Sequence, residues 1–168
     1  MPYKRLIPVL LLKEGLLVRS QLFKYHQAIG DPIPTIKRLS DWHSDEIILL
    51  NIGSSKSLDS RRTDKWHNLG TTNMTRLVEA ISKFCFAPLT VGGGIRSIDN
   101  FREIFKSGAD KCSVNTPLIE NPELIRSAVD IFGSQAIVAS IDLKFDHSKN
   151  EYKYWSNSGK KNTGLNLK

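Results

Sequence analysis

Residues 89–97 read LTVGGGIRS, in which an apolar run leads into three glycines and then a serine. The apolar residues are typical of a buried strand, and Ser97 is a favourable N-cap for the helical pattern that follows. Glycine has no β-carbon, so backbone N–H groups here can approach an anion closely at the positive end of a helix dipole. Gly93 and Gly94 are therefore candidates for binding a phosphate. A tight turn between a strand and a helix explains the same glycines equally well.

Four further runs of apolar, branched residues resemble that strand, at residues 5–12, 46–52, 111–114 and 136–143. They are continuous rather than alternating, which is typical of parallel strands buried on both faces. Helical patterns separate the runs and open at Asp31, at Thr72 and Asn73, at Ser97 and at Asn121. The order βαβαβαβαβ predicts an α/β fold, either a doubly wound sheet or a (β/α)8 barrel.

The length of the chain bears on the choice between these folds. Its 168 residues suffice for one domain, whereas a complete barrel takes about 250. Residues 152–168 form a polar tail with little helical pattern. If the fold is a barrel, we expect one partial barrel over residues 1–168, with four βα units, a fifth strand and a truncated end. Because a half barrel exposes strand edges and an apolar interior, a homodimer of half barrels is one expected form.

Composition excludes several classes of function. The net charge is +7, but the basic residues are scattered and form no nucleic-acid module, which favours an anionic small ligand or a solvated surface. Cys85 and Cys112 have no CxxC partner or nearby histidine, so neither a disulfide framework nor a metal site is expected. The apolar N-terminal run is too short to span a membrane. We expect a cytoplasmic protein with no membrane or nucleic-acid partner.

Ligands of such folds bind beyond the carboxyl ends of the strands, where polar residues are candidates. Asp142 ends an apolar run, so partial desolvation would raise its pKa and suit it to acid–base chemistry; pairing with Lys144 is the alternative. Asn115 and Thr116 follow the preceding strand and are either ligand-binding groups or a helix-entry turn. The basic loop at residues 54–71 either clamps a second anion or is a solvated insertion.

Charged residues lie near the opposite, amino-terminal ends of three strands: Arg5, Glu46 and Lys111. They form a salt-bridge ring at the bottom of a barrel, or they are simply exposed, which is common for charges at strand starts. The sequence alone leaves both interpretations open.

Six motifs occur in the order KEG, DEIILLNI, PLTVGGGIRS, GADKCSVNT, FGSQAIVASIDLK and SGKKNTG. Through them nearly the whole chain resembles the cyclase subunit of imidazole glycerol phosphate synthase, a (β/α)8 barrel of histidine biosynthesis. The resemblance implies a lyase without cofactor. It also implies a glutaminase partner that supplies ammonia at the bottom of the barrel, and a phosphorylated small-molecule substrate at the top.

The resemblance also implies roles for individual residues. Asp142 matches one of two catalytic aspartates. The residues matched to phosphate or substrate binding are Gly93, Gly94, Asn115 and Thr116, with Arg19 on the mobile loop after the first strand. Those matched to a charged gate for ammonia are Arg5, Glu46 and Lys111.

The chain departs from this family pattern at the tip of its first strand. The second catalytic aspartate is expected at position 11, where the chain has Leu11, and leucine cannot transfer a proton. This change resembles paralogues linked to amidation of surface-polysaccharide sugars, in which the barrel relays ammonia to a separate amidotransferase. We expect such a relay subunit. The alternatives are an active cyclase of histidine biosynthesis, forming imidazole glycerol phosphate and the aminoimidazole carboxamide ribonucleotide, and an inactive fragment.

Overall fold

The computed structural model describes residues 3–21, 25–53, 74–156, 159 and 161–166. The strands in this part of the chain are β1 (Val9–Lys13), β2 (Leu16–Gln21), β3 (Tyr25–Gly30), β4 (Ile47–Asn51), β5 (Leu89–Gly92), β6 (Lys111–Val114), β7 (Ile137–Ala139), β8 (Asp142–Asp146), β9 (Glu151–Ser156) and β10 (Lys161–Asn166). The helices are α1 (Pro32–Asp41), α2 (Met74–Ser82), α3 (Ile98–Lys106), α4 (Pro117–Glu120) and α5 (Pro122–Phe132). The predicted caps Thr72 and Asn73 and the basic loop at 54–71 lie outside the described residues.

The main sheet has seven strands in the order β3-β2-β1-β4-β5-β6-β7. Five of its strands are parallel, and neighbours in the sheet follow one another along the chain in the order β1, β4, β5, β6 and β7. A doubly wound sheet instead reverses its strand order at a switch point, whereas barrel strands follow one another in sequence. The described residues therefore form an α/β fold whose parallel strands have the order found in barrels.

The core lies between one face of the parallel sheet and the helices. Its strand residues include Leu12, Leu49, Val91 and Cys112, and its helix residues include Ile36, Val78, Ile81, Phe101 and Ala128. Because neighbouring residues of a strand point to opposite faces, Leu11 lies on the face turned away from the helices. Cys112 is fully buried, and this burial raises the pKa of its thiol to about 12.

Three helix starts that the sequence predicts are confirmed by their capping hydrogen bonds. The side chain of Asp31 accepts from the Ile33 N–H at 2.8 Å, that of Ser97 from the Asn100 N–H at 3.3 Å and that of Asn121 from the Leu124 N–H at 3.2 Å. Each cap satisfies an N–H group that the first turn of the helix leaves without a partner.

A hairpin that the sequence analysis did not predict follows the first strand. β1 and β2 are antiparallel, and Lys13 pairs with Leu16 across a two-residue turn. Glu14 and Gly15 have φ angles of 51° and 83°, which is the backbone of a tight hairpin turn. The turn places β2 and β3 beyond β1, so that Arg19 lies on a strand.

The predicted fifth strand and polar tail were wrong in their boundaries. The run at 136–143 is divided, because β7 ends at Ala139 and β8 starts a second sheet of three antiparallel strands, β10-β9-β8. The tail is thus largely β-structure, with tyrosines alternating with Lys153 and Trp155 in β9. Positive φ at Asn150 (51°) and Gly159 (70°) allows the turns that connect these strands.

Candidate functional site

A buried charged cluster lies at the amino-terminal ends of β4, β5 and β6. The Glu46 carboxylate is 7% exposed and accepts hydrogen bonds from Thr90 Oγ1 at 2.6 Å and Lys111 Nζ at 2.9 Å. Burial alone would raise the pKa of Glu46, but these two donors, with the charges of Lys111 and Arg5, hold it below its ordinary value. The structure therefore brings Glu46 and Lys111 into contact, whereas Arg5 is exposed and acts only through its charge.

Sequence analysis missed Thr90, although a signal for it was present. Thr90 is fully buried, and it interrupts the otherwise apolar strand β5 with a hydroxyl. A buried hydroxyl requires a partner. Thr90 is also paired in register with Lys111 of β6, which places both donors on the same side of Glu46.

At the carboxyl end of β5, the surroundings of the three glycines differ, and so does the reason why each position is occupied by glycine. A β-carbon on Gly93 would lie 2.0 Å from the Asn51 carbonyl oxygen, and one on Gly92 would lie 2.8 Å from the Ser113 carbonyl oxygen. These two glycines are required by close backbone packing. Gly94 has φ +71°, and among the described residues, its chain neighbours apart, no heavy atom lies within 4 Å of its β-carbon position, so this part of the chain leaves open space beside it. Of the three, Gly94 leaves room for a ligand.

Asn115 and Asp142 are brought together beyond the ends of β6 and β7. Asn115 Nδ2 donates to the Ser140 carbonyl oxygen at 2.9 Å, and the Ser140 N–H donates to the Val114 carbonyl oxygen at 2.7 Å. The same Asn115 side chain and the backbone N–H of Gly159 hydrogen-bond to the Asp142 carboxylate. Asp142 nevertheless has a raised pKa, because its partial burial outweighs these two donors.

Two expectations about Asp142 need correction. It does not end an apolar strand but begins β8, after a break of two residues that follows β7. It is also not paired with Lys144, since the Lys144 ammonium lies over the Trp155 ring, 4.7 Å from its centroid. Within the part of the chain that the structure describes, the carboxylate is therefore held by an amide and a backbone N–H rather than by a cation.

Leu11 lies on β1, which the strands β4, β5 and β6 separate from β7 in the sheet. It is in register with Val18 of β2 and Leu50 of β4, and across the sheet Leu50 is in register with Gly92. The row of residues that includes Leu11 is therefore apolar on β1 and β4, and position 11 carries no group able to exchange a proton.

Arg19 and Thr116 are not joined to the pair formed by Asn115 and Asp142. Arg19 is exposed on β2, opposite Gln27 of β3. Thr116 precedes the short helix α4 without a capping hydrogen bond from its side chain. Among the described residues, no hydrogen bond or ion pair links either side chain to Asp142.

The described residues contain neither a metal-binding cluster nor a membrane-spanning helix. In this part of the chain, no group of three or more His, Cys, Asp or Glu side chains is placed to hold a metal ion. Within the same residues, no helix has both the length and the apolar character needed to cross a membrane.

The described residues thus form an α/β fold with a parallel sheet, and its strand order and the polar side chains beyond its carboxyl ends are consistent with the (β/α)-barrel class of proteins. A family model described as histidine biosynthesis protein matches residues 5–168, and the chain belongs to this family.

Curated relatives agree with this assignment. The chain is 41% identical over 162 residues to the imidazole glycerol phosphate synthase subunit HisF of Exiguobacterium sp., covering 96% of this chain and 58% of the relative. It is 39% identical over 164 residues to the protein of the same name from Lactococcus lactis subsp. cremoris, covering 98% of this chain and 59% of the relative. The chain thus spans about three fifths of the length of these relatives.

Proposed function

We propose that the chain is an ammonia-relay subunit, which receives ammonia from a glutaminase partner and does not cyclise a nucleotide itself. The observation that carries this proposal is Leu11. It is the third of the five residues of β1, in register with Leu50 of β4, and it presents a hydrocarbon where acid–base chemistry on a ligand held by Asp142 would need a second proton-transfer group.

The cluster at the amino-terminal ends of the strands supports the same proposal. Glu46 and Lys111 form an ion pair of 2.9 Å at the amino-terminal end of the strands, and the candidate ligand site lies at their carboxyl end. In the proposal this pair, together with Arg5, controls the entry of ammonia from the glutaminase. Lys111 retains 33% exposure of its side chain, so it remains accessible from that side.

The carboxyl end is proposed to hold a phosphorylated small molecule. Gly94, with open space beside it, and Gly93 would offer backbone N–H groups to a phosphate, and Asn115, Thr116 and Arg19 would add donors. We further propose that the relayed ammonia amidates a surface-polysaccharide sugar on a separate enzyme. This finer step rests on the departure from the family pattern at Leu11.

A second candidate function, the cyclase of histidine biosynthesis, is favoured by Asp142. Its carboxyl group has a raised pKa and accepts hydrogen bonds from Asn115 and Gly159. Such a group is suited to general acid–base catalysis. In this candidate function Asp142 would act without a partner carboxylate on β1.

Restoring an acid at position 11 distinguishes the two candidates. The variant Leu11→Asp is compared with Leu11→Asn, because the asparagine side chain is close to aspartic acid in size and polarity but cannot transfer a proton. The assay supplies free ammonium and the histidine-pathway nucleotide. For a relay subunit, we expect no turnover by the unmodified chain and no gain in Leu11→Asp. Adding the unmodified chain should instead increase glutamine hydrolysis by a glutaminase subunit from the same genome.

Two results would contradict the relay function. The first is turnover by the unmodified chain at the pace of a full-length cyclase. The second is a gain of about 10²- to 10⁴-fold in Leu11→Asp that Leu11→Asn does not show, since this is the usual contribution of a general acid or base.

A further inference from the structure

β3 is one of four described strands that lie at an edge of the two sheets, together with β7, β8 and β10. An edge strand has a row of backbone N–H and C=O groups with no strand beside it, and this row can pair with another chain. Proteins usually prevent such pairing with a very short edge strand, or with charged residues or proline on the edge. The described edge strands can therefore be compared by their length and charge.

Three of these four edges have such protection. β7 contains only three residues, Ile137–Ala139. β8 carries Asp142, Lys144 and Asp146, and β10 begins with Lys161. β3 has six residues, YHQAIG, which include no Lys, Arg, Asp, Glu or Pro. Among the described strands, β3 is thus the edge that is most open to pairing.

Large apolar side chains are exposed on this same strand. Tyr25 is 71% exposed and Ile29 is 68% exposed. The register with β2 passes from Ala28 to Gly30, so Ile29 has no residue opposite it on that strand. This irregularity is confined to one end of β3, since residues 25–28 pair with four consecutive residues of β2. Exposed apolar residues on a long, uncharged edge are typical of a strand that associates with another chain.

The sequence of β3 is complementary to a second copy of itself in the antiparallel direction. If Gln27 lies opposite Gln27 of the second copy, Tyr25 lies opposite Ile29, and two-fold symmetry makes this pair occur twice. Pairs of an aromatic and a β-branched side chain stabilise neighbouring strands, and two facing glutamine amides can exchange hydrogen bonds. A register shifted by one residue would instead place Tyr25 opposite Ala28. The pattern therefore favours one register.

The net charge of +7 opposes self-association in general, but its effect at this edge is small. Arg19 of β2 lies opposite Gln27, one strand in from the edge. In the paired chains the two Arg19 residues would be separated by three strand spacings, about 14 Å. This separation exceeds the Debye length of about 8 Å at physiological ionic strength, so their repulsion is largely screened.

We propose that β3 is a docking surface for a second copy of this chain, and that an antiparallel pair of β3 strands centred on Gln27 joins the two seven-stranded sheets. This contact differs from a homodimer of half barrels, in which one copy would cover the apolar interior of the other. It lies at the end of the main sheet, away from Glu46 and Lys111, and it does not depend on the relay function.

The oligomeric state of the full chain tests the proposal and is measured by sedimentation equilibrium. The unmodified chain should form dimers with a dissociation constant in the micromolar range, because a single strand pair is a small interface. Tyr25→Lys and Ile29→Glu should each weaken association at least tenfold, since either change removes both apolar pairs. Leu165→Lys is the matched control, because Leu165 is 53% exposed on the edge strand β10, and it should stay within about twofold.

A mixture of the two weakened variants tests the register. When one Tyr25→Lys chain pairs with one Ile29→Glu chain, the introduced ammonium faces the introduced carboxylate, and the second pair remains Tyr25 with Ile29. The mixture should therefore associate about tenfold more tightly than either variant alone. All the altered side chains are exposed, so the thermal unfolding midpoint of each variant should match that of the unmodified chain.

Three results overturn the proposal. The first is an unmodified chain that stays monomeric throughout the micromolar range. The second is a dimer that both variants retain, which would place the contact at another edge or on the inner face of the sheet. The third is a mixture that associates no more tightly than its components.

Discussion

A carboxylate lies near each end of the parallel strands, and the pKa values of the two carboxylates are shifted in opposite directions. At the amino end, Glu46 is almost fully buried but receives a hydroxyl and an ammonium donor, and its pKa is lowered. Beyond the carboxyl end, Asp142 is less buried, but the described residues offer it only an amide and a backbone N–H, and its pKa is raised. Burial alone therefore does not set the protonation state. The charge of the donors also matters, because each carboxylate has two of them and only Glu46 has a cationic one.

This difference distinguishes a carboxylate that has a cationic partner from one whose burial is not fully compensated. A buried carboxylate with a cationic partner stays ionised, and removing the partner destabilises the protein. A carboxylate whose pKa is raised by incomplete compensation is typical of a site that binds or exchanges protons. Four predictions compare the two ends of the sheet, and the last three test the difference between the carboxylates.

The largest effect is expected from backbone packing at the carboxyl end. Gly93→Ala would place a β-carbon 2.0 Å from the Asn51 carbonyl oxygen at a residue with φ +104°. We expect a loss of about 4 kcal/mol in the free energy of unfolding, from overpacking and backbone strain together. Gly94→Ala is the control, since open space should limit its loss to about 1 kcal/mol. Chemical denaturation measures both, and equal losses would contradict the distinction between the two glycines.

Removing the cation at the amino end should have the next largest effect. Lys111→Met leaves Glu46 buried without its charged partner. Because Lys111 is one third exposed, we expect a loss of about 2 kcal/mol at pH 7, below the range for fully buried pairs.

The loss should depend on pH, because the pKa of Glu46 is lowered in the folded chain. Its contribution is present above its ordinary value of 4.5 and disappears as the pH falls through the folded pKa. Lys111→Arg should retain most of the stability. A loss in Lys111→Met that is independent of pH would show that packing, rather than charge, is responsible.

Removing the neutral donor to the same carboxylate should have a smaller effect. Thr90→Val deletes the hydroxyl that lies 2.6 Å from Glu46 Oε1. We expect a loss of about 1.5 kcal/mol, typical of a hydrogen bond to a charged group. The pKa of Glu46, followed by NMR titration of its carboxyl carbon, should rise. An unchanged pKa would assign the lowering to Lys111 and Arg5.

The smallest effect is expected at Asp142, with the opposite sign. Its pKa is raised in the folded chain, so its ionisation opposes folding once the pH rises above its ordinary value of 3.8. Asp142→Asn should therefore raise the thermal unfolding midpoint at pH 7 and leave it unchanged at pH 3.

Asp146 provides the matched control in the same strand. Its pKa is lowered by Lys153 and Ser148, so its contribution to stability is present above 3.8 and lost as the pH falls. Asp146→Asn should lower the midpoint at pH 7. If both variants shift the midpoint in the same direction, the contrast between paired and underpaired carboxylates fails.

The sequence predicted those parts of the fold in which local patterns suffice. The strand at 111–114 and the caps Asp31, Ser97 and Asn121 agree with the structure, because burial patterns and capping chemistry involve only neighbouring residues. The hairpin after β1 was missed. It depends on positive φ at Glu14 as well as at Gly15, and glutamate is not a residue that signals such a turn.

The candidate site was less predictable, because its contacts join distant parts of the chain. Thr90 and Lys111 meet Glu46 across 44 and 65 residues, and the Asn115 amide meets the Ser140 carbonyl across 25. Residue type indicated that Asp142 was unusual. Which groups hold it depends on where β7 ends and β8 begins.

The buried thiol of Cys112 has a practical consequence. Its side chain is fully buried on β6, and a thiol with a pKa of about 12 supplies almost no thiolate for alkylation at neutral pH. Cys85, the other cysteine, is only partly buried. A chromogenic thiol reagent should therefore modify Cys85 first and reach Cys112 only when the strands separate. The rate at which Cys112 is modified should therefore report the rate of global unfolding without an added label.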